Sequence, residues 1–313
     1  MNRLNISINE KFQAQYTLFI EMESMLVNAL MKSKTEIRYD FSVLNIDMEG
    51  FECRLVQLDI FIQEANNNLI HEVAELTGAF NRMFNELHLK LDHTGKVIKV
   101  LNMELILSKW QQTKQLMQQA ANKSDDLKDL IALSDSMFAS PEKITQAIQA
   151  NEFLQVYFGY VYGNEVPFSK SDTNRTNFLN TSYLPFKVSS TIDQEINGLN
   201  NVKVVTNSVP YITLDMSFKK NAYKTFEDKI DLKSIKPEIT EDAIHSIDAK
   251  TGKLLSTTVL KKEIAEEQKL YVINKYTMVI DAYENKVDQL KDETVKSSEN
   301  VSTQEHKSRF KFF

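Results

Sequence analysis

Few side chains in this chain are spaced for chemistry. The five histidines are His71, His88, His93, His245 and His306, and no two have the i, i+4 spacing that puts paired imidazoles on one helix face. His88 and His93 fall near opposite ends of one short hairpin strand and its turn, where ordinary surface histidines account for them better than a metal does. Cys53, the single cysteine, lies on an alternating apolar segment. Without an adjacent base or an electropositive pocket it reads as a buried structural thiol, not a nucleophile. The acidic pairs Asp125-Asp126 and Glu266-Glu267 are chain neighbours, which do not converge on one point. There is no G-x-S-x-G elbow, Walker loop or dinucleotide fingerprint, and seven glycines leave little to build a phosphate cradle from. The expectation is no catalytic site, no cofactor and no metal.

Two stretches suggest contact rather than catalysis. Phe153, Tyr157, Phe158, Tyr160 and Tyr162 would surround a helix axis, which means either burial on several sides or a docking surface. The end of the chain, KSRFKFF, sets Phe310, Phe312 and Phe313 beside Arg309 and Lys311, after a polar stretch over 284–309. Rings can anchor such a peptide while its charges steer encounter. Phe310, Phe312, Phe313, Arg309, Lys311, Tyr157 and Tyr160 are therefore the candidate partner-binding residues.

The elements that position these groups show in the periodicity. Tyr16, Leu18, Ile20 and Met22 alternate with polar residues, as do Ile37, Tyr39, Phe41 and Val43, the pattern of antiparallel strands with one wet face. A third run starts with Phe51, Cys53 and Leu55 on one parity and continues with Val56, Leu58, Ile60 and Ile62 on the other, which predicts a bulge near Leu55 and Val56. Leu69, Val73, Leu76, Phe80 and Met83 predict an amphipathic helix. In LHLKLDHTGKVIKVLN, Asp92 and Gly95 supply hairpin-turn chemistry. Residues 103–162 read as helical, with Ser124 and Ser140 as N-caps and Pro141 at a first helical position. A polar loop over 163–183 precedes strand signals in LPFKVSSTIDQEI, VKVVTNSV and YITLDMSF. Then come a short helix over 221–231, a second hairpin in HSIDAKTGKLLSTTVL and a last strand in KLYVINKYTMVI.

The predicted class is α+β: curved antiparallel sheets with covering helices. The segments are an N-terminal sheet over 1–102, a helical segment over 103–162, a C-terminal sheet over 163–283 and a charged tail over 284–313. The two hairpins share an Asp and a Thr-Gly-Lys, which raises the idea of duplicated sheet halves.

The order of elements over about 12–102 resembles the curved-sheet lipoprotein carriers of the LolA type, although no diagnostic motif carries the likeness. That resemblance implies an open curved sheet and carriage of an apolar ligand. Such carriers work outside the cytoplasm behind a signal peptide, whereas MNRLNISINEKF has no apolar segment or cleavage site.

Composition narrows the role. The net charge is -6 with both signs interspersed, which argues against a nucleic-acid footprint. No apolar run approaches the roughly 20 residues of a membrane span. A cytoplasmic, bacterial protein is expected. The favoured reading is a non-enzymatic interaction or scaffold protein, an assembly component or cognate inhibitor with a protein partner. The alternative is a carrier of an apolar ligand held between a sheet and its helices.

Overall fold

Alternation over the first 65 residues becomes three long strands, β2 (Phe12–Leu26), β3 (Ala29–Asp47) and β4 (Gly50–Ala65), after a short β1 (Leu4–Ile6). The computed structural model describes residues 3–67, 82–121, 125–193 and 201–281. The helix predicted from Leu69 lies mostly outside them, and only its end, 82–84, is described and helical. The first hairpin forms β5 (Glu86–Leu91) and β6 (Val97–Val100). The later strands are β7 (Asn164–Val166), β8 (Ser169–Thr176), β9 (Tyr183–Asp193), β10 (Asn201–Pro210), β11 (Glu238–Asp248), β12 (Leu254–Glu266) and β13 (Leu270–Ile280).

The strands predicted as two sheets belong to one. Its order is β6-β5-β4-β3-β2-β13-β12-β11-β10-β9-β8, every pair antiparallel, with β1 and β7 forming a separate two-stranded ribbon. The halves join where Tyr16 of β2 stands opposite Ile280 of β13. The protein is α+β and sheet-dominated, and the sheet does not close on itself.

Helices fill the middle of the chain as α1 (Met103–Ala121), α2 (Asp125–Phe138), α3 (Pro141–Gln149) and α4 (Glu152–Phe158). Ser140 caps α3 as its sequence implies, its side chain accepting from the Lys143 N–H, with Pro141 at the first position. Trp110 of α1 donates to Asp135 of α2 at 3.0 Å and stacks on Phe138 at 4.9 Å between ring centroids.

The main core lies between these helices and one face of the sheet. Phe153 packs on Tyr16, Tyr39, Phe41 and Tyr157 with centroids 5.0–5.8 Å apart, so rings fill the centre. A second core gathers Phe186, Ile239 and Leu270 under α5 (Met216–Ala222) and the turns after it.

Several expectations need correction. The polar loop over 163–183 contains β7 and β8. Because β8 is an edge strand, its sequence SKSDTNRT lacks the apolar alternation of a covered one. YITLDMSF is not a strand: Asp215 accepts from the Phe218 N–H at 3.0 Å and starts α5 there, so the helix expected over 221–231 begins earlier. The helical run to 162 stops at Gly159, whose φ of 48° ends α4. The bulge falls at Leu58, which has no partner between Gln57↔Tyr39 and Asp59↔Arg38, three residues beyond Leu55. Leu58 and Ile60 are exposed, not core, although Ile60 pairs with the buried Ile37.

Candidate functional site

Two features of this sheet offer space to a ligand. The first is an open hollow of about 740 Å³ at the far ends of β2, β3, β4, β12 and β13. Leu260, Lys275, Glu21, Lys34 and Glu64 form one row across these five strands, on the face turned away from Leu18 and the helices. Ile273, Glu23 and Lys32 form part of the next row. Met22, Ile62 and Ala65 also border the hollow, but strand alternation puts their side chains on the Leu18 face. The three lysines and three glutamates leave the hollow without net charge. Lys32 pairs with Glu23 at 2.8 Å and Lys275 with Glu21 at 2.9 Å. The Lys32 ammonium, with the Tyr271 hydroxyl at 2.7 Å, holds the Glu23 carboxyl below its usual range. Asn66 fixes the rim, accepting from the Lys32 N–H and donating to the Leu30 carbonyl.

The second is a small cavity of about 80 Å³ in the polar seam between the two cores. On β11 the helix-facing residues run Ile239, Glu241, Ala243, His245 and Ile247. Alternation therefore aims a carboxylate and an imidazole inward, with a short alanine between them. Lys261 and Val259 stand opposite Glu241 and Ala243 on β12, and Gln155, Val156, Gly159 and Tyr160 form the roof. Arg175 reaches in from β8. It donates to Glu241 at 2.7 Å and to Ser208 at 2.8 Å, and its guanidinium lies 3.9 Å from the centroid of Phe186. Lys261 stands 4.0 Å from the same Glu241 oxygen. His245 has no exposed surface, and neither ring nitrogen has a hydrogen-bond partner among the described residues. Burial pulls its pKa down to about 4; the Val156 backbone, close to the ring but outside good hydrogen-bond geometry, pulls the other way. Burial also pushes the Tyr160 hydroxyl up to about 12.

A third polar cluster is structural. Glu263 of β12, fully buried, accepts from Asn177 at 2.8 Å, the Leu179 N–H at 3.0 Å and Tyr223 at 3.0 Å. It pins the 177–182 turn and the chain after α5 to the sheet.

Tyr157 is wholly enclosed, its hydroxyl accepting from the Leu254 N–H, so it offers a partner no surface. Tyr160 is half-buried beside Arg175, at 5.5 Å, as part of the cavity roof. Phe310, Phe312, Phe313, Arg309 and Lys311 lie outside the described residues. His88 binds Glu52 at 2.6 Å, and His93 lies 3.3 Å from the Met48 carbonyl; among the described residues they share no ligand position. Cys53 is buried, and desolvation raises its thiol far above the usual range. Among the described residues no group of three or more His, Cys, Asp or Glu could hold a metal, and no helix is long and apolar enough to cross a membrane. Arg175, Glu241, Lys261 and His245 were not brought together by the sequence reading. The available signal was two polar residues at core parity between Ile239 and Ile247.

Fold and site together define an open antiparallel-sheet protein with a helical layer on one face. No family model matches the chain, and no curated protein does. One solved structure, titled "Lipid-protein interactions in lipovitellin", overlaps 86% of this chain and 25% of its own, with a TM-score of 0.40 and 6% identity.

Proposed function

We propose that this chain is a non-enzymatic carrier of an apolar or neutral amphipathic molecule, seated in the hollow at the ends of β2–β4 and β12–β13. The observation that carries the reading is the hollow itself. Its volume is ligand-sized, Leu260 and Ile273 contribute apolar wall, and its charges cancel. A balanced ionic rim suits a neutral or zwitterionic end group better than an anion. The space between α4 and the sheet is packed with rings, so the hollow is the better seat. The test has two parts. Solvent extraction of protein purified from its native cell, read by mass spectrometry, should yield a defined apolar molecule. An apolar fluorescent probe should bind the purified protein and lose at least tenfold in affinity in Ile273→Glu. Probe affinity equal in the variant, or no binding at all, sinks the reading.

A protein partner is the second reading, favoured by Phe61, a large ring left 53% exposed on β4. Capture of a protein from native lysate that is lost in Phe61→Ser, with probe binding intact, would favour it.

The two halves of the sheet fit an internal duplication. Both are meanders numbered in the same sense across the sheet, and in both hairpins an Asp side chain accepts the turn N–H groups before a positive-φ glycine. Superposition of 12–102 on 184–280 tests this by whether the strands match in order.

A further inference from the structure

We infer that the small cavity under α4 is a binding site for a small monovalent carboxylate of acetate or formate size. Three independent observations converge. The first is charge. Arg175 and Lys261 carry two positive charges against the single carboxylate of Glu241, which leaves an excess of one in a site where Glu241 is only 8% exposed. In such surroundings an uncompensated cation favours a counter-anion more strongly than it would in water.

The second is hydrogen bonding. Arg175 spends two of its nitrogens on Glu241 and Ser208, while its buried Nε has no partner among the described residues. His245, fully buried at the cavity wall, has none for either ring nitrogen. Arg175 therefore brings an unmet donor to this small space, and the His245 N–H, near the Val156 backbone, is held by no well-formed bond. Buried donors of this kind are normally satisfied. Two carboxylate oxygens match two N–H donors beside a lysine ammonium.

The third is shape. The cavity measures about 80 Å³, roughly the room of two to three waters or one molecule of three to four heavy atoms. It exists because Ala243 is short between Glu241 and His245, and because Gly159 presents no side chain. A Cβ on Gly159 would stand 2.9 Å from the His245 Nε2. Gln155 and Gly159 are exposed beside the cavity and give a route of entry. The site is separate from the hollow proposed for the apolar ligand, and it stands or falls independently of it.

Sodium acetate is the probe, compared with sodium chloride at equal ionic strength, on the full chain. The readouts are the melting temperature and a calorimetric titration. Acetate should raise the melting temperature saturably, and chloride should not. Lys261→Met keeps the stem and removes the excess charge, and it should weaken acetate binding at least tenfold. Ala243→Val fills the cavity and leaves every charge in place, and it should abolish binding. Either variant suffices if the other fails to fold. Equal responses to acetate and chloride in the wild type would overturn the assignment, as would unchanged acetate affinity in the folded variants.

Discussion

Tyr157 and Leu254 are tied by a hydrogen bond of 3.1 Å, the Leu254 N–H donating to the Tyr157 hydroxyl. Tyr16 donates to the Leu254 carbonyl at 2.9 Å, and Tyr162 to the Gly252 carbonyl at the same distance. Three tyrosine hydroxyls thus fasten β2, α4 and the turn after α4 to the second hairpin from inside the core. Burial pushes the Tyr157 hydroxyl up to about 12. In Tyr157→Phe the Leu254 N–H is left buried without its acceptor, and the loss should be about 1–3 kcal/mol. Urea denaturation checks this. A change below about 0.5 kcal/mol would mean that the bond contributes nothing net.

Phe153 sits among four other rings, and Phe153→Ala should remove about 3–5 kcal/mol through lost contact and the cavity left behind. The measurement is equilibrium unfolding. A small loss would show that the core collapses into the space and is less tightly packed than the ring distances imply.

His245 makes stability depend on pH. Unfolded, its imidazole titrates near 6.5; folded, near 4. Between those values the unfolded chain binds more protons, so stability must fall as pH drops from about 6.5 to about 4. The full contribution is about 3 kcal/mol. Glu263 acts in the opposite sense. Burial raises its folded pKa, so its contribution is fullest at low pH and is lost as pH rises through that raised value. The two are separated by comparing wild type with His245→Leu at pH 7 and pH 4.5. The wild type should lose more on acidification, and parallel losses would contradict the assignment.

Gly252 has φ 72°, and a Cβ there would stand 1.8 Å from the Ser7 carbonyl oxygen. Backbone cannot yield as a side chain can, so Gly252→Ala combines left-handed strain with displacement of the chain around Ser7. A loss of more than about 2 kcal/mol is expected from these effects together. Unchanged thermal stability would show that residues 7–9 move aside freely.

Cys53 should not react with a thiol reagent in the folded protein and should react fully in denaturant, because it is buried and desolvation disfavours its thiolate. Rapid labelling under native conditions would show that β4 and β5 open readily.

Much of the architecture was legible in local pattern. Alternation at Tyr16–Met22 and Ile37–Val43 marked strands because a pleated chain shows its two faces in turn. Asp92 with Gly95, and Ser140 with Pro141, marked a turn and a helix start because those effects act within a few residues. The bulge was misplaced because parity records that a face has switched, not which residue is squeezed out. Strand partners were not legible. Ladder bonds come from backbone groups that nearly every residue carries, so nothing in either segment says that Tyr16 meets Ile280. For the same reason the edge strand β8 passed for a loop, since an uncovered strand has no apolar face to display. The cavity was hidden for a further reason. Glu241 and Arg175 are 66 residues apart, and a charged residue at a core position reads as an irregularity until its partner is beside it. The sequence by itself determined the elements, their turns and the inward parity of Glu241 and His245. Only the tertiary structure decided that one sheet joins both halves and sets Arg175, Lys261 and His245 around the same small space, because charge and hydrogen bonding act over a few ångströms in space and take no account of separation along the chain.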